Sequence, residues 1–153
     1  HLAAWNYFES VDSEINDEFI DKWHKFTKNE DRVTNDPMEA TYIGFNMWVK
    51  AVEKAGTTDS EAVQEALIGV AVPNLSGSVA TMMPNHHITK PIFIGEIQDD
   101  GQFQIVDKTP TTVVADEWSD YLEGSKDLIA DWRKPLSCGN FNVKTGKCGG
   151  SSK

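Results

Sequence analysis

Two carboxylates stand at the start of a strong helical pattern, in the stretch TNDPMEATYIGFNMWVKAVEKAG of residues 34–56. Asp36 and Glu39 offer oxygens that could accept hydrogen bonds from the N–H groups of a small molecule. Each such charge-assisted bond contributes about 1.5–3 kcal/mol. Asp36 and Glu39 could instead have a structural role at the start of the helix. Asp36 fits the N-cap with Pro37 in the first helical position, and Glu39 is then spaced to bond back to that cap.

The residues beside Glu39 could complete a binding site. Met38 could supply an apolar wall and Tyr42 a hydroxyl group, although Tyr42 also belongs to the main apolar stripe of the helix. Trp5 and Tyr7 lie in the aromatic run AAWNYF of residues 3–8, which suits either a buried strand or the wall of a cleft. The predicted apolar stripe consists of Met38, Tyr42, Phe45, Val49 and Val52.

Histidine and cysteine residues suggest other chemistry. His86 and His87 are adjacent, so on an extended segment their side chains point to opposite faces and cannot easily share one metal ion. Cys138 and Cys148 flank a flexible polar segment and are predicted to form a disulfide, which would stabilise this tail by about 2–3 kcal/mol. Two free thiols, half of a zinc site, or Cys138 as the nucleophile of an amide hydrolase are the alternatives.

Charge and hydropathy exclude several classes of partner. The chain has 14 Lys and Arg against 24 Asp and Glu, for a formal net charge of −10. This charge disfavours binding to nucleic acid or to anionic membrane surfaces. The sequence contains no run of about 18 apolar residues, so it does not predict a membrane-spanning helix. Because the sequence begins at His1, we expect a processed chain or a piece of a longer one.

The elements that must position these residues form an α/β pattern. Helices are predicted from Asp12 to about Lys28, from residue 36 to Gly56, and after a capping box formed by Thr58 and Glu61. Three strand-like stretches follow, namely GSVATMM, KPIFIGEIQ and QFQIVDK, the last two joined by a tight turn at residues 99–101. The second helix is apolar around most of its surface, so we expect other elements to cover it.

Several motifs together resemble one protein family. The stretches AWNYFESVDS, DPMEATYIGFNMW, PNHHITKP and PLSCGN look like the C-terminal part of urea ABC transporter substrate-binding proteins, which are type I periplasmic binding proteins. The resemblance implies a portion of a two-lobed α/β fold, with helices packed on a parallel sheet, a C-terminal hairpin and an extended tail. Residues 1–108 would form a lobe portion with a hinge crossing at residues 3–10, and residues 109–153 the tail.

The resemblance also implies a function. Such a receptor captures urea by lobe closure and delivers it to a membrane permease, without enzymatic activity or a cofactor. We therefore expect an extracytoplasmic protein whose partners are urea or a small amide, the permease and the remainder of the same receptor chain. A short-chain amide or amino acid as the ligand, or a cleaved fragment that serves only in assembly, are alternatives. The expected ligand-binding residues are Trp5, Tyr7, Asp36, Met38, Glu39 and Tyr42.

Overall fold

The computed structural model describes residues 1–116, residues 118 and 121, and the short strands at 141–142 and 147–148. Two compact units divide the chain, His1–Glu117 and Trp118–Lys153. The elements of the first unit are β1 (Leu2–Trp5), α1 (Glu14–Thr27), α2 (Asp36–Ala55), α3 (Ser60–Leu67), β2 (Ala71–Pro73), β3 (Val79–Thr81), β4 (Phe93–Ile97) and β5 (Phe103–Lys108). In the second unit, β6 (Phe141–Asn142) pairs antiparallel with β7 (Lys147–Cys148).

A polar side chain caps the start of each helix. For α2 and α3 the capping residue lies one position away from the predicted one. The side chain of Asn35, not that of Asp36, caps α2 by accepting from the N–H of Met38 at 3.1 Å. Asp59, not Thr58, caps α3 by accepting from the N–H of Ala62. Asn, Asp and Thr are all good caps, so neighbouring candidates cannot be ranked from the sequence. The end of α2 is confirmed, because Gly56 closes it in the left-handed conformation at φ 66°.

The buried face of α2 differs from the predicted stripe. Its buried residues recur every four positions, at Glu39, Ile43, Met47 and Ala51. Ile43, Met47 and Ala51 pack with apolar residues of α3, β2 and β3 in one core cluster. The stripe residue Phe45 is 61% exposed instead. Because α2 is apolar around most of its circumference, periodicity alone permits more than one inner face, and the contacts with α3 and β2 select this one.

A three-stranded sheet of order β1-β4-β5 lies beside the helices, and both of its pairings are antiparallel. The predicted β4–β5 hairpin is confirmed, with Gly101 at φ 82° in its turn. β2 and β3 form a second antiparallel pair. The α/β class is confirmed, but within the described residues every strand pairing is antiparallel, so the implied parallel sheet is not found there.

The N-terminal segment is only partly the buried strand that its sequence predicts. β1 ends at Trp5, which is 48% exposed, and the chain becomes buried only afterwards, at Tyr7 and Phe8. These two aromatic residues join a second core cluster with Val11, Leu75 and Phe93. The first strand therefore pairs at the edge of the sheet, and the segment that follows it supplies the core.

Side-chain hydrogen bonds fix the segment between β1 and α1. The Asn6 amide donates to the carbonyl of Pro91 at 2.8 Å. The hydroxyl of Ser10 donates to the carbonyl of Phe103, and that of Ser13 to the carbonyl of Leu75. This segment is therefore held by three separate parts of the unit.

Candidate functional site

A cleft of about 290 Å³ lies beside the segment that follows β1 and the loop that leads into α2. Its size is close to the lower limit of about 300 Å³ for small-molecule sites in proteins. The side chains important for its chemistry are Trp5, Tyr7, Glu9, Thr34, Asp36 and Phe103. The cleft therefore brings together three of the six predicted ligand residues, namely Trp5, Tyr7 and Asp36.

The hydroxyl of Tyr7 is held in a buried polar network. It donates to Oδ1 of Asn16 at 2.8 Å and lies 2.7 Å from Oγ1 of Thr34. The Asn16 amide nitrogen donates to the carbonyls of Glu9 and Val11, so its Oδ1 must face Tyr7 as an acceptor. Burial raises the pKa of Tyr7 to about 12, against the smaller lowering effect of its bond with Thr34. Tyr7 therefore stays protonated at neutral pH.

Glu9 joins the segment after β1 to the loop before α2. Its Oε2 accepts from the hydroxyl of Thr34 at 2.9 Å and also from the backbone N–H of the same residue. Thr34 is 5% exposed, whereas Glu9 is partly buried. Because both residues also line the cleft, a charged carboxylate and a hydroxyl are placed at its wall.

Asp36 and Trp5 give the cleft two further features. Oδ1 of Asp36 is a buried oxygen with no hydrogen-bond partner among the described residues. An unpaired buried acceptor is costly, so rotation of this carboxylate towards a ligand that donates a hydrogen bond would be favoured. The half-exposed indole of Trp5 supplies an apolar surface nearby. The arrangement suits a small solute that has N–H groups and a planar face.

Glu39 has a different environment. It is 1% exposed, and its Oε2 forms an ion pair with the Lys90 ammonium, which is 8% exposed. Burial raises the pKa of Glu39, whereas the hydrogen bond and charge of Lys90 act against this rise. The backbone of Leu75 also acts against the rise in this pKa. This arrangement replaces the expected bond back to the helix cap.

The cleft lining does not include Glu39, Met38 or Tyr42. Met38 is partly buried, and the ring of Tyr42 packs on that of Phe19 with 4.9 Å between centroids. The structure therefore separates these three from Trp5, Tyr7 and Asp36, and their contact with a ligand stays a prediction.

Sequence reasoning missed Glu9, Thr34 and Phe103 as cleft residues. Glu9 and Thr34 lie in segments without regular periodicity, and their pairing joins positions 25 residues apart. Phe103 begins β5 and stacks on Phe8 with 4.8 Å between centroids, so its pattern predicts packing in the core. The one available signal for Glu9 was its position directly after the aromatic run of residues 3–8.

His86 and His87 do not line the cleft. His86 lies in a tight turn at φ 60°, and within the part of the chain that the structure describes, no group of three His, Cys, Asp or Glu is placed to hold a metal ion. Cys138 lies outside the described residues, and only the strand position of Cys148 is given, so their disulfide stays a prediction. None of the helices in the described residues is long and apolar enough for a membrane crossing.

Comparison with known proteins identifies relatives that share this fold. The family model of the periplasmic binding protein domain matches residues 1–124. A solute binding protein of an ABC transporter from Rhodopseudomonas palustris HaA2, solved with p-hydroxybenzoic acid, is 25% identical with a TM-score of 0.60; the match covers 71% of this chain and 30% of that chain. The leucine binding protein LivK from Thermotoga maritima MSB8 shares the fold at 15% identity and a TM-score of 0.58, over 70% of this chain and 30% of that chain.

One curated relative has an enzyme name. The limonene hydroxylase of Geobacillus stearothermophilus is 32% identical over 106 residues, which are 69% of this chain and 19% of that protein. The chain thus spans less than a third of the length of each of these three proteins.

Proposed function

The chain belongs to the periplasmic binding protein domain family, and we propose that it forms part of an extracytoplasmic solute-binding component of an ABC transporter. The solute is urea or a related small amide, which the receptor delivers to a membrane permease. The solved neighbours include ABC transporter solute-binding proteins in complex with benzoates, and a leucine binding protein. This range of neighbours supports solute binding in general, and the chemistry of the cleft supports the choice of ligand.

The single observation that carries the proposal is that Asp36, whose buried Oδ1 is unpaired among the described residues, lines a small cleft beside Trp5. Urea and small amides are neutral and planar and have N–H donors. Rotation of the Asp36 carboxylate would turn Oδ1 towards an N–H group of the solute, and the flat face of the solute can pack on the indole. Met38, Glu39 and Tyr42, on the same helix as Asp36, are included in the proposed site as residues that contact or support the ligand.

Capture occurs by closure of two lobes. Since this chain spans about 30% of the solved neighbours, we propose that the remainder of the receptor supplies the opposite wall. Ligand contacts are then complete only when both walls meet, so binding shifts the population towards the closed form that the permease recognises. No covalent step or cofactor is needed for this mechanism. The hydroxylase name belongs to a protein of which this chain covers 19%.

Calorimetric titration of the complete receptor polypeptide tests the proposal, with urea, acetamide, leucine and p-hydroxybenzoate as ligands. We expect heat of binding with urea or acetamide, and at least tenfold weaker binding in Asp36→Ala. Asp21→Ala is the matched control, because Asp21 is an exposed aspartate on α1. Binding of p-hydroxybenzoate or leucine alone would reject the proposed ligand, and no binding of any of the four would reject the receptor function.

A further inference from the structure

The polar network at the cleft has fewer hydrogens than contacts. Three short oxygen–oxygen contacts join Tyr7 to Asn16, Tyr7 to Thr34 and Thr34 to Glu9. The Tyr7 hydrogen is used on Oδ1 of Asn16, since that oxygen can only accept. The Thr34 hydrogen is used on the carboxylate of Glu9 for the same reason. The hydrogens of both hydroxyls are therefore used within the protein, and neither hydroxyl has one left to donate to a ligand.

We infer that Glu9 and Thr34 distinguish amides from carboxylates of the same shape, so that the cleft accepts the amide and rejects the acid. This inference rests on the proposed function and adds two residues that determine specificity. Both residues line the cleft, and their bond joins the segment after β1 to the loop before α2.

An amide ligand can donate an N–H group to the Glu9 carboxylate. The hydroxyl and the backbone N–H of Thr34 already bond this carboxylate and hold it at the wall of the cleft. The ligand therefore meets a positioned acceptor and gains a charge-assisted hydrogen bond.

A carboxylate ligand has the opposite effect. It brings acceptor oxygens without a hydrogen, and its charge is placed near the carboxylates of Glu9 and Asp36. Within the described residues, no Lys, Arg or His lines this cleft to balance that charge. Like charges in a partly buried site repel one another, so the acid is excluded although its shape fits.

Two isosteric ligand pairs test the inference in the complete receptor polypeptide, namely acetamide with acetate and benzamide with benzoate. We expect each amide to bind at least a hundredfold more tightly than its acid. Glu9→Gln removes the charge and should lower this ratio tenfold or more. Thr34→Val should weaken amide binding about tenfold, whereas Thr34→Ser keeps the hydroxyl and should restore it.

Glu53→Gln is the matched control, because Glu53 is exposed on α2 and outside the cleft. Circular dichroism checks that each variant is folded, and the Thr34→Ser variant remains informative if Thr34→Val is unstable. An unchanged amide-to-acid ratio in Glu9→Gln, or acids that bind the wild type as well as amides do, would overturn the inference while leaving the receptor function intact. No binding of any solute, urea included, would instead reject the proposed function itself.

Discussion

Removal of one partner from the buried ion pair should destabilise the protein strongly. The Lys90→Met variant leaves the Glu39 carboxylate, which is 1% exposed, without its cation. Breaking a buried pair in this way costs about 3–5 kcal/mol. For a unit of this size, 1 kcal/mol corresponds to about 4 °C, so the melting temperature at pH 7.5 should fall by about 12–20 °C.

The cost of Lys90→Met should depend on pH. Burial raises the pKa of Glu39 above its ordinary value of 4.5, so the folded protein retains a proton that the unfolded chain releases. The contribution of Glu39 to stability is therefore largest below pH 4.5 and is lost as the pH rises through the raised pKa. Without Lys90 that pKa rises further, and a protonated Glu39 needs no cation. The loss of melting temperature should be clearly smaller at pH 5 than at pH 7.5.

Thermal unfolding followed by circular dichroism measures both effects. Lys22→Met is the matched control, because Lys22 pairs with Glu18 at 3.3 Å on the surface of α1 and such pairs contribute about 0.3–0.5 kcal/mol. Glu39→Leu combined with Lys90→Met should recover most of the lost stability, since an apolar pair replaces the charges. A loss below 4 °C at pH 7.5, or an equal loss at both pH values, would refute the reasoning.

Three further predictions concern single side chains. The unfolded chain releases the Tyr7 proton near pH 10.0 and the folded chain near 12, so the unfolding free energy of the wild type should fall by about 2–3 kcal/mol over this range relative to Tyr7→Phe, as measured by urea denaturation. Gly95→Ala would place a Cβ 2.7 Å from a ring atom of Phe8 and should destabilise the protein by about 1–3 kcal/mol. Gly44→Ala has open space around the new Cβ in α2 and should stabilise the protein by about 0.5–1 kcal/mol, and thermal unfolding compares the two variants. Cys138 and Cys148 should resist a thiol reagent until they are reduced, and labelling of the untreated protein, detected by mass spectrometry, would contradict the predicted disulfide.

Local patterns predicted the elements of the fold well. The three helices and the β4–β5 hairpin follow from periodicity and turn residues, which act over a few neighbouring positions. The inner face of α2 could not be predicted in the same way, because Phe45 and Ile43 are both apolar and only the packing of α3 and β2 distinguishes them. The strands at the N-terminus and at β4 pair across about 90 residues, a contact that no local pattern specifies.

The candidate site was predictable only where it coincides with a helix start or an aromatic run. Asp36, Trp5 and Tyr7 stand out by type and position, and the structure places them at one cleft. Glu9 and Thr34 do not, since each lies in a segment without regular structure and only the fold brings them together. For Glu39 the sequence indicated a carboxylate at a helix start, but its partner Lys90 is 51 residues away, and only the structure identifies it.

The side-chain bonds of Asn6, Ser10 and Ser13 have a mechanical consequence. They bond the segment after β1 to the carbonyls of Pro91, Phe103 and Leu75, and so restrict its movement relative to these residues. We therefore expect a displacement of β1 to be accompanied by displacement of β5 and of the turn after β2.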